Sequence, residues 1–87
     1  MRYRDAKHIP KGELIEVLWD DARAGEDGWR TSAVLDDLTP AEVKSVGYLH
    51  RVTRKHVVYA NDVVDGEAHT SGVIPLGCIR RIRQVYP

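Results

Sequence analysis

The sequence predicts a mainly β fold: a small, partly closed antiparallel barrel of five short strands with one or two short helical turns. Three observations predict it. Apolar residues alternate with a period of two in several runs, and turns bearing glycine, proline or Asp-Gly separate those runs. No stretch of helical period is long enough to build a second layer. At 87 residues the chain holds a single core. A domain of this size lies near the lower limit of independent stability, so contact with a partner is expected.

Residues 1–12 contain one isoleucine, a proline, a glycine and four cations, and are expected to form an N-terminal arm with little order of its own, ahead of a single domain at 13–87. ELIEVLW at 13–19 is the first strand. Two-residue alternation puts Ile15, Val17 and Trp19 on one side, with Leu14 and Leu18 beside Glu16 on the other. Both sides are partly apolar, as in a strand that is covered twice or that meets another chain. An acidic loop follows at 20–28, and Trp29 at its end is placed to pin it to the core. In SAVLDDLTPAEV, Ser32 and Thr39 are candidate helix N-caps, and Thr39-Pro40-Ala41-Glu42 fits a capping box. Strand composition resumes at Val43, so neither helix runs beyond a turn or two.

The second strand, 43–52, puts Val46, Tyr48 and Val52 on one face and Leu49 on the other. Gly47 inside it marks a bulge, a sharp bend or the close approach of another backbone. The polar turn Thr53-Arg54-Lys55 leads into a third strand within 56–62, where Val57 and Tyr59 oppose Val58 and Ala60. Asp65-Gly66 signals the next turn. GVIPL at 72–76 is the fourth strand, which lies at a sheet edge or ends at Pro75, because Pro75 has no N–H to donate. Ile79, Ile82 and Val85 recur every third residue, yet the preceding proline and glycine favour a 3₁₀ turn over Leu76–Ile79 and a last strand at about 80–85.

Thirteen basic and thirteen acidic residues cancel, but their signs come in blocks. The formal charge is +3 over residues 1–11, −7 over 12–42, +4 over 43–56, −3 over 57–78 and +3 over the remainder. Such alternation suits self-association or docking on a charged partner. The single cysteine, Cys78, cannot form an intramolecular disulfide, which points to a reducing cytoplasm. The apolar run GVIPLGCI at 72–79 is too short to span a membrane, and no apolar signal core opens the chain, so no membrane association is expected.

The segment SGVIPLGCIRRIR resembles the closing part of SH3-like barrels, and LIEVLWDD with its acidic loop resembles their first strand and the loop after it. The resemblance implies that architecture. It does not extend to proline-rich peptide binding, because the hairpin strands lack the tryptophans of that platform. A second likeness covers residues 14–85: VLWDDA at 17–22, Trp29, SVGYL at 45–49, VVYA at 57–60, and VIP with IRRIR at 73–83. These are similar to small proteins of unassigned role encoded by tailed bacteriophages. That likeness implies a viral protein acting in the host cytoplasm, and it brings no catalytic residues.

Asp20-Asp21 and Asp36-Asp37 supply four carboxylates, but adjacent strand residues face opposite ways and no further ligand stands at a helpful spacing. His8, His50, His56 and His69 lack both H-x-H and H-E-x-x-H spacing, so no metal is expected. Cys78 has no placed base, and Ser45, Thr70 and Ser71 form no nucleophile elbow; neither enzymatic activity nor a cofactor is expected. The strongest candidate surface is HRVTRKH at 50–56. There His50, Arg51, Arg54, Lys55 and His56 crowd a turn, with Tyr48 or Tyr59 available for stacking. Arg81 and Arg83 are expected nearby on one strand face, opposed by Arg80. The expected function is a noncatalytic viral interaction module that binds a host bacterial protein as a small homo-oligomer. The alternative is an anion-binding barrel for nucleic acid or a phosphorylated small molecule.

Overall fold

The computed structural model describes residues 1–22 and 30–86, and the expected docking of Trp29 lies outside them. Residues 1–12 pack on the domain instead of projecting as an arm. Tyr3–Ala6 form a one-turn helix, α1, opened by the Arg2 N–H donating to the Asp5 carboxylate at 3.2 Å. Ala6 is fully buried and Ile9 is 6% exposed within the core cluster, with Met1 and Tyr3 packed beside it. The apolar residues Tyr3, Ala6 and Ile9 recur every third position, which gives even this cationic segment one face to bury.

Strand β1 (Leu14–Asp21) pairs along its length with β2 (Ala41–Val52), from Leu14 opposite Tyr48 to Asp21 opposite Ala41. The connection holds the short helix α2 (Ser32–Asp36). Its N-cap is Thr31, whose hydroxyl accepts from the Val34 N–H at 3.3 Å; Ser32 is already helical. Thr39 caps no helix, because Ala41 and Glu42 are taken into the ladder with β1. Pairing with a whole strand outweighs a local box that satisfies two donors.

The remaining elements are β3 (His56–Ala60), β4 (Val63–Val64), β5 (Glu67–Ala68), β6 (Ser71–Pro75), a 3₁₀ turn (Leu76–Cys78) and β7 (Ile79–Gln84). The main sheet is antiparallel in the order β6-β3-β2-β1-β7. Val63 opposite Ala68 and Val64 opposite Glu67 keep the register offset of the β3–β6 ladder, so β4 and β5 prolong that hairpin as a ribbon. Its tip is Asp65-Gly66, with φ of 51° and 80°, the paired left-handed conformation of a two-residue hairpin turn.

Among the described residues no ladder joins β6 to β7, so the expected barrel is an open five-stranded sheet. It is nonetheless curled. Four strand spacings separate the two edges, roughly 19 Å in a flat sheet, yet Ile74 of β6 and Ile79 of β7 share one core with Ile15, Val17, Leu49, Val57 and Leu76. The 3₁₀ turn spans the gap between the edges, and the Met1 amino group donates to the Leu76 and Ile79 carbonyls at 3.1 and 3.2 Å.

Two bulges re-aim side chains. Leu49 faces Tyr59 and Arg51 faces Val58, leaving His50 as the extra residue. Val52 thereby turns to the core beside Leu49 and away from the face of Val46 and Tyr48, where strict alternation puts it. Leu18 faces Arg81 and Trp19 faces Ile79, so Arg80 is the extra residue on β7. Arg80 therefore joins Arg81 and Arg83 on the outer face, and the expected opposition between them is lost. At Gly47, close approach is the operative reason for glycine. A Cβ there would lie 2.7 Å from Tyr59 Cδ2 and 2.8 Å from the Ala60 carbonyl oxygen, and one on Gly72 would overlap the same tyrosine ring.

Candidate interaction surface

The turn between β2 and β3 is built by Thr53. Its N–H donates to the His56 carbonyl at 2.9 Å, and its hydroxyl accepts from the Lys55 and His56 N–H groups at 3.1 and 3.0 Å. This local network leaves the Arg54 and Lys55 side chains exposed and His56 half-buried. The Arg54 guanidinium sits over the Tyr3 ring, 5.1 Å from its centroid, which ties the turn to α1. Tyr48, on the outer face, is 42% exposed. With Lys11, Gly12, His50, Ala60 and Val63 it lines a cavity of about 280 Å³ beneath the ribbon.

His50, Arg51, Arg54, Lys55 and His56 thus gather at one end of the sheet, joined by two residues of the N-terminal segment expected to be an arm, Tyr3 against Arg54 and Lys11 beside His50. The signal that could have linked them was the basic block over residues 1–11, brought beside the block over 43–56 by the pairing of Leu14 with Tyr48. Arg81 and Arg83 lie elsewhere. Glu16 aligns Arg83 with Val46, and Arg54 is eight residues farther along β2 and its turn, roughly 25 Å away at strand spacing.

Arg83 is engaged there, its Nε 3.1 Å from Glu16 Oε1 and its Nη2 3.2 Å from Oε2. The hydrogen bond from Arg83 holds the Glu16 carboxyl below the usual carboxylate range against the opposing effect of desolvation, helped by the charges of Arg83, Lys44 and Arg81. A lowered folded-state pKa contributes stability that is present above the ordinary carboxylate range and is lost as pH falls through the folded value. Glu16→Gln is therefore expected to flatten the acid limb of unfolding free energy against pH, between about pH 3 and 5 in urea titrations; parallel curves would contradict this. Arg80 pairs likewise with Asp20 at 2.9 Å and Glu42 at 3.8 Å, and the Asp20 hydrogen bond raises its pKa.

The opposite end of the β1–β2 ladder carries Asp20, Asp21 and Glu42, with Asp36 and Asp37 in the connection beyond it. The molecule is therefore electrically polarised along β1, basic at the start of the strand and acidic at its end. Among the described residues no three His, Cys, Asp or Glu side chains cluster to hold a metal ion, and no helix is long and apolar enough to cross a membrane. No family model matches the chain, and neither a curated protein nor a solved structure matches it.

Proposed function

We propose that the chain is a noncatalytic interaction module of SH3-like architecture, a viral protein that docks its basic end on an acidic surface of a host bacterial protein in the host cytoplasm. The observation that carries the reading is the gathering of Lys11, Arg51, Arg54 and Lys55 at one end of a molecule with no net charge. A concentrated field of one sign steers association and fixes orientation, whereas the same charges dispersed would do neither. The architecture is supported by the strand order and by the 3₁₀ turn between the two edge strands. The viral setting is supported by the likeness of VLWDDA, SVGYL and VVYA to phage-encoded proteins.

The test is co-purification from bacterial lysate with wild type beside Lys11→Glu/Arg51→Glu. A discrete host protein retained by the wild type, lost with the variant and released by salt is the expected outcome. Equal capture by both chains, or none by either, would count against the reading.

A second reading rests on the cavity lined by the aromatic ring of Tyr48 together with Lys11 and His50. This combination suits an anion that carries a planar ring, as in single-stranded nucleic acid or a phosphorylated small molecule. Titration with an oligonucleotide and with a mononucleotide across a salt series decides it. Absence of binding of either at low salt removes it.

A further inference from the structure

We propose that the free edge of β6 pairs with the β6 edge of a second copy of the chain, antiparallel across a twofold axis near Val73. The inference stands apart from the host-partner reading, and its test uses no host protein. β6 ends the main sheet, and among the described residues no strand lies on its outer side. The orientation of its backbone follows from two bonds that bracket the ladder with β3. The Asn61 N–H donates to the Thr70 carbonyl at 2.8 Å, and the Leu76 N–H donates to the Lys55 carbonyl at 2.9 Å. Both share the offset of the pairs between them, from Ala60 opposite Ser71 to His56 opposite Pro75. Hydrogen-bonded pairs alternate along an antiparallel ladder, so Gly72 and Ile74 turn their polar groups toward β3. Ser71 and Val73 turn theirs outward. Pro75 offers a carbonyl on the same side but no N–H, which confines pairing to the few residues around Val73. The Val73 side chain is 60% exposed, and Val58 stands opposite it on the same outer face.

Charge selects the occupant and its direction. The Pro75 end of β6 lies beside His56 and hence beside Arg54 and Lys55, while the Ser71 end leads into the ribbon that carries Asp62, Asp65 and Glu67. An antiparallel second copy sets each basic turn beside the other copy's acidic ribbon, twice per dimer. A parallel copy would put like beside like. The contact is the same patch on both chains, so it closes at two copies. Centred on Val73, the two Val73 residues exchange backbone hydrogen bonds, and each Ser71 N–H reaches the partner's Pro75 carbonyl.

Sedimentation equilibrium across a concentration and salt series tests the proposal. The expected mass rises from 9.8 kDa toward twice that value with concentration, and salt weakens the dimer. Val73→Lys, Arg54→Glu/Lys55→Glu alone and Asp62→Lys/Glu67→Lys alone are each expected to raise the dissociation constant about tenfold or more, with circular dichroism confirming the fold of each variant. Mixing the two charge-reversed chains pairs acidic turns with basic ribbons and basic turns with acidic ribbons, and is expected to restore dimers of mixed composition. A monomer at millimolar concentration, a dimer indifferent to Val73→Lys, or a mixture no more associated than its components would overturn the proposal.

Discussion

Deleting residues 1–9 is expected to lower the free energy of unfolding by about 3 kcal/mol, roughly 2 from the Ile9 side chain and the rest from Ala6 and the contacts of Met1 and Tyr3. At about 0.05–0.15 kcal/mol per residue, a domain of 87 residues has only about 4–13 kcal/mol in total, so the deletion removes a large share. The segment seals the core where β6 gives way to β7, over Leu76 and Ile79. Urea titration of the full-length and shortened chains measures the difference. Equal midpoints and slopes would show the segment to be the unordered arm that its charge suggests.

The second large effect concerns Tyr59, which lies across two glycines on neighbouring strands. Gly72→Ala is expected to cost about 2 kcal/mol, because the three atoms nearest to the new Cβ all belong to the Tyr59 ring, and that ring is packed against the core. Tyr59→Leu removes those atoms, so the double variant Gly72→Ala/Tyr59→Leu is expected to lose less than the sum of its single changes. Gly47→Ala behaves differently. Part of its obstruction is the Ala60 carbonyl oxygen at 2.8 Å, which no side-chain change relieves. Strict additivity in the Gly72 cycle, measured by thermal or urea unfolding, would contradict the packing described.

Features decided by a few neighbouring residues were legible in the sequence. Asp65-Gly66 makes the turn it announces, Pro75 stands on an edge strand, and the proline-glycine pair around Leu76 does produce a 3₁₀ turn ahead of the last strand. What escaped depended on distant partners. Thr39-Pro40 is a sound local helix signal, overruled by the ladder with β1. Val52 and Arg80 change face because each follows or forms a bulge, and a bulge exists only relative to the strand opposite. The candidate surface divided along the same line. His50 to His56 stay together because one turn holds them, while Arg81 and Arg83 are carried two strands over by topology, and Lys11 and Arg54 are brought to one end by pairings that no spacing reveals.

A curled sheet whose β6 edge is unpaired on its outer side is most directly tested by residue-resolved amide hydrogen exchange along Ser71–Pro75 at low and high protein concentration. In dilute solution the Gly72 and Ile74 amides should be protected while those of Ser71 and Val73 exchange freely, and concentration should slow only the latter pair. Protection of Ser71 and Val73 already at low concentration would mean that the edge is covered within one chain and the sheet is closed, contrary to the account.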